Sequence, residues 1–197
     1  RGILDGKSQR ARAHLTVDLN RPLLLVVGGS LGAVQLNEIV AQEMENLTEH
    51  FSLVHQRGDH PAPAPDSDRY MSRPFFGAEY GDILARADLL LCRGGAGTLW
   101  EAAVTGTPAV VVPLSARSSR GDQIRNARYF AERGAIVAVT REAPSSRLVA
   151  QELFSLFQER KRYEAARRAL RDLAGGNPAG LIVDEIERVV QHRGEQR

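Results

Sequence analysis

The stretch LLLVVGGSLGAVQLNEIV, Leu23 to Val40, decides the fold. Five apolar residues, Leu23 to Val27, run into the turn Gly28-Gly29-Ser30-Leu31-Gly32, after which Leu36, Val40, Met44 and Leu47 keep helical spacing. A strand buried on both faces, a glycine turn and an amphipathic helix follow in that order. The first N–H groups of a helix entered in this way have no partner within it, so the turn is a candidate seat for an anion.

The same alternation continues along the chain. Strand-like runs recur at 51–56, 88–92, 109–113 and 135–139, and helical patterns are predicted over 32–47, 78–87, 97–105 and 122–133. Near-continuously apolar strands alternating with helices predict right-handed βαβ units, and hence an α/β fold: a Rossmann-like parallel sheet with helices on both faces. The segment 57–69, with Pro61, Pro63 and Pro65, has the composition of a mobile loop. Beyond residue 145 the pattern is helical. Val149, Leu153 and Leu156, then Tyr163, Ala166 and Leu170, then Ile182, Ile186, Val189 and Val190, predict packing helices broken at Gly175-Gly176-Asn177-Pro178.

The 197 residues, 43% of them hydrophobic, suffice for one sizeable core, and 26 basic against 24 acidic residues give no reason to expect a nucleic acid. The single cysteine, Cys92, ends an apolar run and reads as a small buried thiol, excluding an intrachain disulfide. The five histidines show no metal-ligand spacing, and no apolar run approaches the roughly 20 residues of a membrane span. With no signal-peptide pattern, a reducing cytosol is the expected setting.

In an open parallel sheet, ligands bind beyond the carboxyl ends of the strands. Those ends are here rich in glycine and polar residues: Gly28 to Ala33, His55-Gln56-Arg57-Gly58, Arg93-Gly94-Gly95-Ala96-Gly97-Thr98 with Glu101, and Gly121-Asp122-Gln123. The first turn lacks the full G-x-G-x-x-G spacing of a dinucleotide site and the lysine of a P-loop. What remains is a helix N-terminus with the Ser30 hydroxyl and no bulk to keep a phosphate away. In the second, Glu101 falls in the predicted first helical turn, where it could complete a capping box with Thr98 or accept hydrogen bonds from a sugar diol. Spacing alone leaves both readings open.

Together GGSLGA with Asn37, HQRG, ADLLLCRGGAGTLWEAAVTGTPAVVVPL and SRGDQIRNA resemble the C-terminal half of the MurG family. Those enzymes transfer N-acetylglucosamine from UDP-GlcNAc to a muramoyl-pentapeptide pyrophosphoryl-undecaprenol, lipid I, in peptidoglycan synthesis. The resemblance implies a GT-B fold, with residues 1–20 as an interdomain lead-in, 21–197 as the UDP-sugar-binding domain, and the N-terminal acceptor domain absent. It implies that Gly29, Ser30 and Gly32 cradle the diphosphate and that Glu101 binds the ribose hydroxyls. Phe76 and Gly77 would read the uracil edge, through main-chain groups because Gly77 replaces the family's branched aliphatic residue. Ala96, Gly97 and Thr98 would line the sugar and phosphate. Asp122, where many members carry Gln or His, and Gln123 would bind the hexose. Arg1 would reach the phosphates, Gln56 would contact the donor, and His55 would be structural.

Transfer would be inverting, with neither metal nor cofactor, and with the base a histidine of the absent domain, so that this chain carries no catalytic residue and is inactive alone. The partners implied are UDP-GlcNAc, lipid I through the absent domain, and the cytoplasmic face of a bacterial inner membrane, held peripherally and mainly by that domain. Two rival expectations are a different GT-B nucleotide-sugar enzyme and a donor-binding subunit that works with a separate membrane partner.

Overall fold

The computed structural model describes residues 7–115 and 120–175. Arg1, the predicted helix from Ile182 to Val190, and His192 lie outside the described residues. Six strands, β1 Leu23–Val27, β2 Ser52–Gln56, β3 Tyr70–Arg73, β4 Leu89–Cys92, β5 Ala109–Val111 and β6 Ile136–Ala138, form one sheet in the order β3-β2-β1-β4-β5-β6. Every neighbouring pair is parallel. The seven α-helices described are α1 Val34–Gln42, α2 Met44–His50, α3 Tyr80–Arg86, α4 Ala96–Thr105, α5 Asp122–Ala131, α6 Ser146–Gln158 and α7 Arg160–Ala174, and a 3-10 turn, Arg10–Ala13, precedes β1.

Alternate side chains of the central strands feed two cores. Leu23, Leu25, Val27, Leu90 and Cys92 pack with Ile83, Leu99, Ala103, Phe130 and Leu170 on one face. Leu24, Val26, Leu89 and Leu91 pack with Leu36, Ile39, Val149 and Leu153 on the other. All five β1 side chains are buried, and each contributes roughly 1.5–3 kcal/mol relative to exposure, so the strand is fixed by burial from both sides.

Two elements differ from the prediction. The expected helix 32–47 is two helices, because Glu43 leaves helical geometry at φ −108° and ψ 15° between α1 and α2. β3 was not predicted: Tyr70-Met71-Ser72-Arg73 is short, half polar, and follows the proline-rich loop. It forms as the edge strand beside β2, and it helps to tie that loop down, with Asp66 accepting from the Ser72 N–H and pairing with Arg73. The lead-in is also anchored. Asp82 on α3 accepts from the Lys7 N–H and the Arg10 guanidinium, while Ala11, Leu15 and Val17 enter the core.

The order in which strands are added to the sheet reverses between β1 and β4. Above that switch point stand the two glycine-rich turns, one after Val27 and one after Cys92. This is where an open α/β sheet offers its ligand crevice.

Candidate functional site

The turn after β1 is a tight one. Gly32 N–H donates to the Gly29 carbonyl at 3.1 Å, and Gly29 has φ +85°, a left-handed conformation that glycine adopts without strain. A Cβ on Gly32 would lie 2.2 Å from the Arg57 carbonyl oxygen, so glycine here lets the β1 and β2 loops interlock. Ala33, the residue before α1, provides no side-chain cap. Gly95, the residue before α4, likewise provides none. Both helix N-termini at the switch point therefore keep N–H groups for an outside acceptor.

Between these turns lies an open cavity of about 270 Å³. Gly29 and Ser30 wall one side, Thr98 and Glu101 of α4 another, and Phe76 and Gly77 a third, with Gln56 at the β2 end. Seven of the sequence-predicted residues thus meet in one place. A larger hollow of about 630 Å³ lies beyond β4 and β5, lined among others by Val34, Gln35, Arg93, Leu114 and Arg141. None of the predicted residues lines it. Position over the switch point and convergent polar groups favour the smaller cavity as the site.

Glu101 is not in the first turn of its helix. α4 begins at Ala96, so Glu101 falls in the second turn and Thr98 is already inside the helix without capping it. The capping-box reading fails on this geometry. Instead the Glu101 Oε2 accepts from the Tyr80 hydroxyl at 3.2 Å. Burial, and then the Glu101 carboxylate, push the Tyr80 phenol well above its ordinary range, so it remains a donor.

Gln56 is 5% exposed and its amide is already used. Nε2 donates to the Gly29 carbonyl at 3.0 Å, and Oε1 accepts from the Phe76 N–H at 2.9 Å. Its role here is to hold together two loops that line the cavity. His55 is fully buried and structural. Asn37 Nδ2 donates to the Arg57 carbonyl, so Asn37 Oδ1 faces His55 Nε2, which must carry the proton, and Nδ1 accepts from the Tyr70 hydroxyl. Burial, with the Arg57 charge second, lowers the His55 pKa to about 4. Cys92 is a buried, inert thiol raised to about 12 by burial first and Glu101 second.

This sequence of elements matches the family model described as "Glycosyltransferase family 28 C-terminal domain" over residues 23–178. The chain belongs to that family. Among curated relatives it is 33% identical over 208 residues to the UDP-N-acetylglucosamine–N-acetylmuramyl-(pentapeptide) pyrophosphoryl-undecaprenol N-acetylglucosamine transferase of Treponema denticola, covering 96% of this chain and 53% of the relative. The protein of the same name from Treponema pallidum is 38% identical over 200 residues, covering 96% and 52%. The crystal structure of Acinetobacter baumannii MurG superposes with a TM-score of 0.69 at 28% identity, covering 94% of this chain and 55% of that one. The chain therefore spans about half the length of the relatives it matches.

Within this glycosyltransferase family 28 domain, some predicted residues stand apart from the cavity. Gly32 underlies the turn rather than lining it. Ala96 and Gly97 are exposed at the start of α4, and a Cβ on Gly97 would meet open space. Asp122 is exposed at the start of α5, and Gln123 Oε1 accepts from the Leu114 N–H at 3.0 Å. The α5 start packs on the second glycine turn, where a Cβ on Gly94 would come within 2.4 Å of the Gln123 carbonyl oxygen and Asn126 Nδ2 donates to the Gly94 carbonyl. Tyr80 and Phe75 line the cavity and were missed by the sequence reading. Nothing local marks Tyr80: it is the first residue of α3, 21 positions before its partner, and only the path from edge strand β3 back to β4 brings the two together.

Proposed function

We propose that this chain is the donor-binding domain of an inverting N-acetylglucosaminyltransferase that uses UDP-GlcNAc and converts lipid I to lipid II. The observation that carries the reading is the cavity in which an uncapped glycine turn and a carboxylate face each other across the sheet's switch point. A nucleoside diphosphate has that layout, with an anion at one end and a ribose diol in the middle. The names of the relatives supply the sugar and the acceptor.

Residues 21–197 would form the donor domain, with 1–20 leading in from an acceptor domain outside these residues. The Gly29–Ser30 turn and the N-termini of α1 and α4 would bind the diphosphate, and Glu101 would accept from the ribose hydroxyls. Gly77 would meet the base through its main chain, leaving Ala96, Gly97, Asp122 and Gln123 for the hexose, and Arg1 would add charge at the phosphates. An acceptor hydroxyl then attacks the anomeric carbon from the face opposite the leaving group, the bond from that carbon to the diphosphate oxygen breaks, and configuration inverts. The proton passes to a base outside this chain. Charge growing on the departing UDP is met by fixed N–H dipoles, the term that contributes most to such transfers, with no need of a metal. Contact with lipid I and with the cytoplasmic membrane face would fall mainly to the acceptor domain.

Calorimetric titration of the 197-residue chain with UDP, UDP-GlcNAc and a TDP-sugar tests the reading. Binding of the two uridine ligands is expected, together with no glycosyl transfer by the chain alone. Selective binding of the TDP-sugar would overturn the donor assignment, and turnover of lipid I by this chain alone would overturn the division between domains.

A further inference from the structure

Glu101 has unusual surroundings for a surface-facing helix residue. Among the described residues it has no counter-ion, and the Tyr80 hydroxyl is the one group that hydrogen-bonds its carboxylate. Tyr80 is itself held in place. Its N–H donates to the Gly77 carbonyl at 3.2 Å, and both Tyr80 and Gly77 line the cavity. One residue thus grips the loop at the base end through its backbone and the carboxylate through its side chain.

We propose that Tyr80 is a positioning residue that fixes the Glu101 carboxylate for a vicinal diol and makes the cavity select ribonucleoside over 2′-deoxyribonucleoside diphosphates. This deepens the UDP reading above and rests on it. Each carboxylate oxygen accepts about two hydrogen bonds. With one Oε2 acceptor position occupied by Tyr80, the carboxylate cannot turn about its terminal bond without losing that hydrogen bond. Oε1 and the second position of Oε2 then remain for the two ribose hydroxyls. A carboxylate free to rotate would have to be ordered by the ligand itself, at the entropic cost that pre-organisation removes. Discrimination follows because a 2′-deoxyribose leaves one of the two fixed acceptor positions without a donor.

The test is titration of the full chain with UDP and 2′-deoxy-UDP, in the wild type, Tyr80→Phe, Glu101→Ala and the double variant. Tyr80→Phe removes one oxygen and keeps the ring, and thermal melting monitors the fold. The wild type is expected to prefer UDP by about tenfold or more, as the loss of a hydrogen bond to a charged group implies. Tyr80→Phe should weaken UDP about threefold to tenfold and 2′-deoxy-UDP less, so that the preference shrinks. Acting through Glu101, it should add almost nothing in the double variant, whereas a merely structural effect would add in full.

An unchanged preference in Tyr80→Phe, or full additivity, would overturn this inference while leaving the UDP reading intact. Tighter binding of both nucleotides would overturn it too, because the phenol would then be an obstacle in the diol's place. A wild-type chain that binds neither nucleotide would remove the donor reading and this inference together.

Discussion

The Gln56 amide joins Gly29 to Phe76: it donates to the carbonyl of the first at 3.0 Å and accepts from the N–H of the second at 2.9 Å. These two residues belong to loops that follow β1 and β3, and β2, which lies between those strands, ends in the side chain that spans them. Gln56→Leu keeps the bulk and removes both bonds. The expected result is a loss of about 1–3 kcal/mol in unfolding free energy, chiefly because the buried Phe76 N–H is left wanting a partner. Binding of uridine and of UDP should weaken together, since both ends of the cavity loosen. Denaturant unfolding and titration with the two ligands check this, and a variant that loses UDP while keeping uridine would show that Gln56 serves the phosphate turn alone.

Ser30→Ala separates the diphosphate end from the rest. Ser30 is exposed at the cavity wall beside Gly29, and the described hydrogen bonds give its hydroxyl no protein partner. Its removal should leave stability within about 0.5 kcal/mol of wild type, as for an ordinary surface substitution. UDP should bind about 0.5–3 kcal/mol more weakly and uridine almost unchanged. Equal weakening of both would mean that the turn does not face the phosphates. Gly29→Val is the poorer probe, since φ +85° strains any side chain there whether or not a ligand binds.

Glu101→Ala addresses the carboxylate itself. Its expected cost to UDP binding is roughly 1.5–3 kcal/mol, the range for hydrogen bonds to a charged group. Stability should change by no more than about 1 kcal/mol, because the side chain caps no helix and its one hydrogen bond is to Tyr80. A large fall in melting temperature with UDP binding intact would make the residue structural.

The sequence made these three residues visible to different degrees. The glycine turn at Gly28–Gly32 was legible because a strand period, a turn and a helix period meet there, and five of the six strands were legible because apolar runs buried on both faces leave a plain signature. β3 was not, since Tyr70-Met71-Ser72-Arg73 is only four residues long, half of them polar, and directly follows a proline-rich loop. Glu101 could be marked as chemistry or as a cap, and only the start of α4 at Ala96 excluded the cap. Gln56 was marked as a contact, yet which way its amide points depends on two loops 20 and 27 residues away. Tyr80 left no trace at all, because its meaning lies in a partner brought near by the crossover from β3 to β4.

His55 makes the stability of this domain depend on pH. Its imidazole is fully buried, donates from Nε2 to Asn37 Oδ1 at 2.9 Å and accepts at Nδ1 from the Tyr70 hydroxyl at 3.1 Å, so a second proton would break the hydrogen bond that Tyr70 donates. Its pKa falls from the ordinary 6.5 to about 4, chiefly through burial and next through Arg57. The unfolded chain therefore binds this proton at a higher pH than the folded one, and stability must drop as pH falls. The contribution is fully present above pH 6.5 and is lost progressively between pH 6.5 and about 4, amounting to about 3 kcal/mol at 1.36 kcal/mol per pH unit of difference. Asp66 and Asp82, whose pKa values lie below 3.8, act in a lower window: their contributions are lost only as pH falls below that value. Urea unfolding at pH 7, 6, 5 and 4 should thus show a decline of which about 2 kcal/mol has been reached by pH 5. His55→Gln, which cannot take up a proton, should start lower at pH 7 but lose most of the slope between pH 6.5 and 4. A wild-type profile that is flat across that window, or an unaltered slope in His55→Gln, would show that the buried imidazole is not the titrating group.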